Sequence, residues 1–386
     1  MPKKAQGKTP ADPGTGKKRF GQFFTTHTDY ILKGLEPFIE GKDAADVFAG
    51  PGDLLDWARR HGAKSVRGWD IDPQYVDNAV IFYNDTFAHP LKQDFIITNP
   101  PYLYQNKLAD NLILAKSKHT DLYQLGLEKL MDSAEGIVIV PINFLSAENA
   151  KYIRNTFLEK FEILKANYFT EQVFEDTSYT VIAFYYRRKT RSADCMEIPM
   201  VIYPEKTSAR IRLFRKYNWR IGGEFLDRIN RYGNRLGIVR LEEEDLAPGN
   251  FPIAVGYTHL GIRRTFGVDE ATYLKIKRNI LILKAIDTGA DPGRIRLEDI
   301  RKYGYDALVS VKTSRNQISL IFPQNVSIRE QEALLPLFNA ELEEKRKRYH
   351  SLFMTNFRDK GRKRISFTFA YALLNYIYFD KLLGAG

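Results

Sequence analysis

The sequence contains a single cysteine, Cys195, among its 386 residues. One cysteine cannot form an internal disulfide or a cysteine-rich metal site. No uninterrupted apolar run approaches the length of a membrane span, and the N-terminal residues lack the apolar core of a signal peptide. We therefore expect a soluble, cytoplasmic protein without a metal site and without a membrane partner.

Positive charge is concentrated in the C-terminal half of the chain. Residues 201–386 contain 33 lysines and arginines against 21 aspartates and glutamates, whereas residues 1–200 contain 25 against 26. A basic excess of this kind favours a partner rich in phosphate, such as a nucleic acid. A solvated basic surface with no dedicated partner is the alternative interpretation.

The pattern of apolar residues divides the chain into three parts. Residues 1–19 are rich in Lys, Gly and Pro without periodicity, and we expect a disordered basic tail. Between residues 20 and 189, strand-like and helix-like segments alternate, which predicts an α/β domain over residues 20–195 with a mostly parallel, doubly wound sheet. Residues 196–386 are less regular and predict a second domain of mixed α/β structure, with a long polar helix over 327–348.

Four residues at the end of a predicted strand form the most informative motif, Asn99–Tyr102. The run over residues 94–98 is short, β-branched and apolar, as in a buried strand. Two prolines then force an extended turn, which leaves the Asn99 side-chain oxygen and the Pro100 carbonyl to accept hydrogen bonds from one NH2 group. Tyr102 offers an exposed flat face for stacking. The pattern suits methylation of an exocyclic amine, although a chance turn can explain the tetrapeptide alone.

A second motif, Asp46–Gly52, joins a predicted strand over residues 44–49 to a predicted helix over 52–61. Its glycines let the backbone approach a ligand at the helix N-terminus, and Asp46 can accept hydrogen bonds from that ligand. Asp70 follows 24 residues after Asp46, at the end of the next predicted strand. A carboxylate at this position takes the ribose hydroxyls of an adenosine-containing cofactor.

Acidic residues around this turn discriminate between cofactors. Asp46 and Asp53 would place negative charge beside a pyrophosphate, which disfavours a dinucleotide. A cofactor with an adenosine and a cationic centre, such as S-adenosylmethionine, suits them better. Asp85, at the end of the third predicted strand, is placed to meet an adenine amine. A structural turn that binds no ligand is the alternative for the glycines.

Taken in order, these motifs resemble those of the adenine-N6 DNA methyltransferases, specifically the gamma class with the Taq-type motif order of restriction–modification systems. The resemblance covers residues 20–189, and the variable region follows every motif. Thr26, Leu54 and Thr86 depart from the family pattern, which usually has proline, phenylalanine and an aromatic residue there. The matching segments, for motifs X, I to VI and VIII, are Gly21–Thr26, Asp46–Gly52, Asp70–Pro73, Asp85, Asn99–Tyr102, Asp121–Tyr123, Val140–Leu145 and Glu171–Phe174.

The resemblance implies a Rossmann-like core that transfers a methyl group from S-adenosylmethionine to a flipped-out adenine in double-stranded DNA. Asn99 and the Pro100 carbonyl would grip the target amine, and Tyr102 and Phe174 would stack on the base. The glycine turn would hold the methionine end of the cofactor. The cofactor-binding residues that the resemblance implies are Thr25, Asp46, Phe48, Gly50, Gly52, Asp70, Ile71, Asp85 and Asn99.

Residues 196–386 match no motif of the family, as expected of a target recognition domain that varies with the DNA site. The run Lys345–Arg348 follows glutamates on the predicted long helix, so pairing at i,i+4 accounts for it. We expect a nucleoid-associated enzyme, and the sequence leaves open whether a separate restriction endonuclease acts on the same site. The candidate phosphate contacts are Arg263, Arg264, Lys312, Arg315, Lys363 and Arg364.

Other functions share part of this pattern. The same grip on a planar amine serves adenine-N6 methyltransferases of rRNA or tRNA, DNA cytosine-N4 methyltransferases and protein-glutamine methyltransferases. Asparagine at the first motif position favours adenine over cytosine, whereas a basic C-terminal domain suits RNA as well as DNA. A non-enzymatic DNA-binding protein would leave the glycine turn and Asn99–Tyr102 unexplained.

Overall fold

The computed structural model describes residues 25–104, 114, 117–174, 179–257, 262–287, 293–311, 316–356 and 362–384. The expected basic tail and two candidate phosphate contacts, Lys312 and Arg315, lie outside the described residues. The chain divides into two compact units between Arg215 and Lys216. Within the described ranges, no helix is long and apolar enough to cross a membrane.

The first unit is built on one large sheet. Its strands are β1 (Asp43–Asp46), β2 (Ser65–Asp70), β3 (Ile81–Tyr83), β4 (Phe95–Thr98), β5 (Glu135–Pro141), β6 (Phe161–Phe169), β7 (Val181–Arg188), β8 (Cys195–Tyr203) and β9 (Thr207–Phe214). Their order is β3-β2-β1-β4-β5-β7-β6-β8-β9. The first five strands in this order are parallel to one another, and β7 is antiparallel to both β5 and β6.

Helices follow the strands in the alternation that the sequence predicts. They are α1 (Thr28–Ile31), α2 (Asp53–Arg60), α3 (Leu122–Lys129), α4 (Asn143–Ser146) and α5 (Lys151–Lys160), with short 3-10 turns at Glu36–Phe38, Pro73–Tyr75 and Glu148–Ala150. Every residue of β4 is buried, as is β5 from Gly136 onward. Near-continuous apolar strands of this kind are typical of a sheet covered on both faces. The predicted fold class, a mostly parallel and doubly wound α/β sheet, is confirmed.

Helix α2 illustrates how the sequence fixes one of these layers. Its buried residues are Leu54, Leu55, Trp57 and Ala58, whereas Asp56, Arg59 and Arg60 face solvent. Leu55 packs with Ala49 after β1 and Ile81 on β3. Burial of each large apolar side chain contributes roughly 1.5–3 kcal/mol, so this face holds the helix over the strands that carry the candidate site.

The first unit extends beyond the boundary expected after residue 195. Strand β8 pairs in parallel with β6, and β9 pairs with β8, so both belong to the large sheet. Alternate residues of β8 are exposed, including Glu197 and Pro199. The sequence change near residue 195 therefore marks a strand with one solvated face, and the first unit ends at Arg215.

The second unit has mixed α/β structure, as predicted. Its strands are β10 (Val239–Arg240), β11 (Pro248–Tyr257), β12 (Ile262–Val268), β13 (Leu281–Lys284), β14 (Arg296–Asp299), β15 (Ala307–Val309), β16 (Ile318–Ile321), β17 (Thr355–Asn356) and β18 (Lys363–Arg364). Its helices are α6 (Gly223–Asn230), α7 (Glu270–Lys277), α8 (Ile328–Arg348) and α9 (Phe367–Tyr376), the last continuing into a π-helical segment, Ile377–Leu382.

Small sheets make up the core of this unit. The described strands form sheets in the orders β10-β16-β13-β14, β12-β11-β15 and β17-β18. A buried apolar cluster joins the first two, with Ile253 and Val255 of β11, Val309 of β15 and Ile321 of β16 among its members. This packing makes the second half of the chain a folded unit with its own core.

Candidate functional site

The candidate site lies at one edge of the large sheet. Strands β2, β1 and β4 are parallel neighbours, so their carboxyl ends meet at the same edge. The chain passes from β1 to β2 and β3 on one side and returns to β4 on the other, so the order reverses between β1 and β4. Ligands of open α/β sheets bind at such a point.

The glycine turn after β1 is held by the carboxylate of Asp70. Gly50 donates its backbone N–H to Asp70 Oδ2 at 2.8 Å, and Asp72 donates to Oδ1 at 2.8 Å. Gly52 precedes α2 with a φ of 94°, a left-handed conformation that favours glycine. Burial raises the pKa of Asp70 above its usual value, and the two backbone hydrogen bonds oppose that shift. A carboxylate has about four acceptor positions, so Asp70 can also accept ribose hydroxyls.

Asp46 is buried at the end of β1 and is 1% exposed. The Thr98 hydroxyl of β4 donates to Asp46 Oδ1 at 2.6 Å, and the Phe48 backbone N–H donates to the same oxygen at 3.0 Å. Burial raises the pKa of Asp46 to about 7. This carboxyl group therefore ties the glycine turn to the residue that precedes Asn99.

Residues that follow β3 lie near the other residues expected to bind the cofactor. Thr86 donates its hydroxyl to the Val47 carbonyl at 2.7 Å, and Asp85 accepts the Phe87 backbone N–H at 3.0 Å. The Phe87 ring lies 5.1 Å from the ring of Phe48, measured between centroids. Ile71, beside Asp70, is 37% exposed, so its side chain is accessible to a ligand at this end of the sheet.

The Asn99–Tyr102 segment leaves β4 and is fixed by contacts with distant parts of the chain. Asn99 Nδ2 donates to Thr25 Oγ1 at 3.2 Å, and the Tyr102 hydroxyl donates to Asn99 Oδ1. The Tyr102 hydroxyl also lies 3.0 Å from the Ile139 carbonyl oxygen of β5. A Cβ atom at Gly126 of α3 would lie 2.6 Å from Pro100 Cβ, so glycine permits this close approach.

The ring of Tyr102 is buried, contrary to the exposed face expected from the turn. It is 1% exposed, as is Phe174. Its ring centroid lies 5.4 Å from Tyr179, 6.3 Å from Phe174 and 6.3 Å from Tyr123. These four residues are called the aromatic cluster below. The chain turns back toward β5 after the prolines, so the tyrosine packs inward.

The motif after the aromatic turn anchors its far end. Asp121 accepts the Leu103 backbone N–H at 3.0 Å, and Leu122 donates its backbone N–H to the Leu103 carbonyl at 3.1 Å. Leu122 begins α3, whose Gly126 meets Pro100. This segment, expected to be motif V, therefore supports the turn that carries Asn99.

The candidate phosphate contacts of the second unit have different surroundings. The Arg263 guanidinium lies 4.7 Å from the Tyr305 ring centroid, and its Nε donates to the Tyr305 hydroxyl at 2.7 Å. Arg264 lies 5.6 Å from the ring centroid of Tyr257. Arg364 is exposed, whereas Lys363 is 5% exposed and its backbone N–H binds Asp287 Oδ1 at 2.6 Å.

Several contributors to the site were missed from sequence. The Thr98 hydroxyl donates to Asp46, and the Ile139 carbonyl accepts from Tyr102. Tyr123 and Tyr179 complete the aromatic cluster. Thr98 carried a signal, since it is the polar last residue of an otherwise apolar strand directly before Asn99. Backbone carbonyls such as that of Ile139 leave no mark in a sequence.

Comparison with known proteins gives one family match. Residues 63–174, which include Asn99–Tyr102, match the model of the family described as Eco57I restriction-modification methylase. No curated protein matches the chain.

Solved structures with related folds include restriction and modification proteins. The modification subunit of a putative type I restriction enzyme from Vibrio vulnificus is 16% identical, with 65% of this chain and 60% of that chain covered and a TM-score of 0.39. The M protein of the type I enzyme EcoKI is 14% identical, with 55% and 54% covered and a TM-score of 0.36. The type IIG restriction endonuclease BpuSI is 12% identical, with 96% and 58% covered and a TM-score of 0.43. The matched region thus spans little more than half of each of these longer chains.

Proposed function

We propose that this protein is an S-adenosylmethionine-dependent DNA methyltransferase that methylates N6 of an adenine flipped out of duplex DNA. We further propose that it is the modification enzyme of a type II restriction–modification system. The observation that carries the proposal is the Asn99 carboxamide, oriented by two hydroxyl groups at the sheet edge that also holds the glycine turn and Asp70. The restriction-modification methylase match over residues 63–174 supports it.

The charges of the candidate cofactor pocket fit a cationic ligand. Asp46 and Asp70 are buried beside the glycine turn, and Asp53 begins α2 directly after it. Burial raises the pKa of Asp53, and the neighbouring Asp56 carboxylate adds to that shift. The sulfonium of S-adenosylmethionine, which supplies an activated methyl group, would stabilise the ionised forms of these acids and lower their pKa values, whereas a pyrophosphate would raise them further.

Other residues of the pocket would hold the remaining parts of this cofactor. Thr25 and the glycine turn would contact the methionine end, and Asp70 would accept the ribose hydroxyls. Ile71 and Phe48 would cover the adenine ring, and Asp85 would accept its amine.

The reaction requires positioning more than acid–base chemistry. The lone pair of an adenine amine is delocalised into the ring, so the nitrogen attacks poorly. Acceptors on its two N–H bonds, the Asn99 Oδ1 and the Pro100 carbonyl, would favour a pyramidal nitrogen whose lone pair points at the methyl group. The extra proton can leave after transfer, so a separate general base is not required.

A duplex target must be flipped out before this amine reaches Asn99. Flipping costs a few kcal/mol, and stacking on an aromatic side chain returns about 1–3 kcal/mol per base. Tyr102 and Phe174 are the proposed stacking residues. Their rings are inclined by 66° and do not present parallel faces, so stacking by both would require the aromatic cluster to rearrange.

Methylation mapping tests the proposed function directly. The protein is expressed in a host without DNA methylation, and modified bases are mapped in the host genome alongside an Asn99→Ala control. N6-methyladenine confined to one short sequence, and absent with the control, is the expected result. N4-methylcytosine would overturn the choice of adenine. An unmodified genome would overturn the DNA proposal, and labelled S-adenosylmethionine would then be supplied with RNA and with protein.

A further inference from the structure

The Asn99 carboxamide is bound at both of its ends by side-chain hydroxyl groups. Its Nδ2 donates to Thr25 Oγ1 at 3.2 Å, and its Oδ1 accepts from the hydroxyl of Tyr102. Thr25 is 4% exposed and Tyr102 is 1% exposed, whereas Asn99 is half-buried. Two groups shielded from water therefore hold one group that reaches toward the site.

The Tyr102 hydroxyl has a second acceptor within reach, the Ile139 carbonyl oxygen at 3.0 Å. A phenolic hydroxyl has one proton, and a carbonyl can only accept. The Ile139 carbonyl and Asn99 Oδ1 therefore share this one donor. Burial raises the pKa of Tyr102 well above its usual value, so this hydroxyl keeps its proton at neutral pH. Asn99 Oδ1 has two lone pairs, so it can accept from Tyr102 and from a target amine together.

Tyr102 could contribute to the reaction by stacking its ring on the base or by orienting Asn99 through its hydroxyl, and the burial of the ring distinguishes the two. Stacking on a base needs a ring face, but the ring of Tyr102 lies against Tyr123, Phe174 and Tyr179. Orientation of Asn99 needs only the hydroxyl, which is already in place. The observed arrangement therefore favours the hydroxyl over the ring face.

We propose that Tyr102 is a positioning residue whose hydroxyl, together with that of Thr25, fixes the plane of the Asn99 carboxamide and aims Oδ1 at the target amine. The inference rests on the proposed function and assigns the tyrosine of the motif a role that does not require its ring to stack on the base. A carboxamide that rotates presents its NH2 end or tilts its acceptor, and either change misaligns the amine in the transition state. The loss falls on the methyl-transfer step and leaves DNA binding unchanged.

Tyr102→Phe isolates the hydroxyl because the ring is retained. We expect the rate of methyl transfer in a single turnover to fall about tenfold, equal to about 1.4 kcal/mol, with KM for duplex DNA unchanged. Tyr186→Phe is the matched control, since Tyr186 is fully buried on β7 and its hydroxyl lies 3.0 Å from Ser133 Oγ. The control should transfer methyl groups at the wild-type rate.

Substitutions of Thr25 test the other end of the carboxamide. Thr25→Val should slow methyl transfer, and Thr25→Ser, which keeps the hydroxyl, should restore it. In the double variant that combines Thr25→Val with Tyr102→Phe, the rate of methyl transfer should fall by less than the product of the two single fold-decreases, because both hydroxyls act on one group. Thermal melting of each variant checks that the fold persists. Because Thr25 is also a proposed contact of the cofactor's methionine end, methyl transfer is measured at saturating S-adenosylmethionine, and calorimetry checks that each variant still binds it. Under that condition the Thr25 pair decides the matter if Tyr102→Phe does not fold.

The outcomes distinguish this inference from the proposed function. A wild-type protein that methylates DNA, with Tyr102→Phe at the same rate, would overturn the positioning role and leave the function intact. A raised KM with unchanged methyl transfer would also overturn it, since the hydroxyl would then bind substrate. Failure of the wild type on DNA overturns the proposed function, and the variants are then compared on the RNA or protein that the wild type methylates.

Discussion

Asn99 is half-buried, whereas Thr98 before it and Pro100 and Tyr102 after it are buried. A polar group that is held rigidly yet faces outward is well suited to grip a substrate. Its carboxamide oxygen is the proposed acceptor for the target amine. The contribution of this one oxygen can be measured separately from folding and cofactor binding.

Replacement of Asn99 by alanine should abolish methyl transfer and leave cofactor binding in place. The reason is that Asp70 and the glycine turn are held by each other and not by Asn99. Turnover with labelled cofactor and calorimetric titration with S-adenosylmethionine give the two readouts. Asn149→Ala, at an exposed position, is the control for removal of a carboxamide. Loss of cofactor binding in Asn99→Ala would contradict the assigned role.

Asp46 makes stability depend on pH in a direction that can be worked out. Burial raises its pKa in the folded protein to about 7 from a reference value of 3.8. Between these values the folded state binds the proton more tightly than the unfolded state. The free energy of unfolding therefore falls as pH rises through this window, by at most about 1.4 kcal/mol per pH unit for one proton.

The variant Asp46→Asn should remove this dependence because an amide does not ionise. We expect the free energy of unfolding of the variant, relative to that of the wild type, to increase from pH 5 to pH 8. Denaturant titrations of both proteins at pH 5, 6 and 8 measure the difference, and contributions of other acids common to both cancel. A difference that stays constant over this range would show that Asp46 is not the titrating group.

The location of candidate site residues at strand ends could be predicted from the sequence, but the burial and contacts of individual side chains could not. Asp46, Asp70 and Asn99 were found because each is a polar residue at or directly after the end of a strand. The burial of Tyr102 depends on Ile139, which lies 37 positions away and contacts it through a backbone carbonyl. No local pattern encodes such a contact, so the sequence favoured stacking as the role of the ring.

At the scale of elements, prediction succeeded where a local signal marked both ends. The strand predicted to end at Asp70 is β2, Ser65–Asp70. The long polar helix is α8, and Ser327 caps it by accepting the Glu330 backbone N–H. Within α8, Lys345 lies 3.1 Å from Glu341 and Lys347 lies 3.8 Å from Glu343, which confirms the predicted i,i+4 pairing.

Other elements ended where long-range contacts replaced local ones. The strand expected over 44–49 stops at Asp46, because the following residues turn to bind Asp46 and the end of β2. The sequence predicts a single helix over 147–160, but this segment forms a 3-10 turn, Glu148–Ala150, followed by α5. Pairing of β8 with β6 joins segments about 34 positions apart, and a single-strand pattern does not reveal its partner.

The extension of the sheet by β8 and β9 predicts where a stable fragment ends. A fragment of residues 1–215 should fold cooperatively, whereas one of residues 1–195 should melt at a lower temperature or aggregate. The shorter fragment loses the buried Ile198, Met200 and Ile202 and exposes the edge of β6. Thermal unfolding followed by circular dichroism measures both. Equal melting temperatures would contradict the extended first unit.

At the scale of the whole molecule, charge separates the two halves of the chain. The excess of lysine and arginine lies in residues 201–386, and many of these cations already pair with acids. Arg301, for example, lies 2.5 Å from Asp299 and 2.8 Å from Glu332. Cations that instead lie over aromatic rings, such as Arg263 and Arg264, keep their charge available to phosphate.

Salt dependence of DNA binding should distinguish these two kinds of arginine. Each neutralised phosphate releases counterions, so the slope of log K against log salt decreases in magnitude by about one for each phosphate that a variant no longer neutralises. We expect Arg263→Ala and Arg264→Ala each to weaken binding and reduce that slope, because neither guanidinium is engaged by a carboxylate within the described residues. Arg301→Ala removes the same charge from a position where two acids already neutralise it, so its slope should match the wild type. Titrations of labelled duplex DNA between about 50 and 200 mM salt measure all of these slopes. Equal slopes for all variants would place the phosphate-binding cations elsewhere in the second unit. A reduced slope for Arg301→Ala alone would contradict the prediction that arginines without a carboxylate partner, and not arginines in ion pairs, contact phosphate.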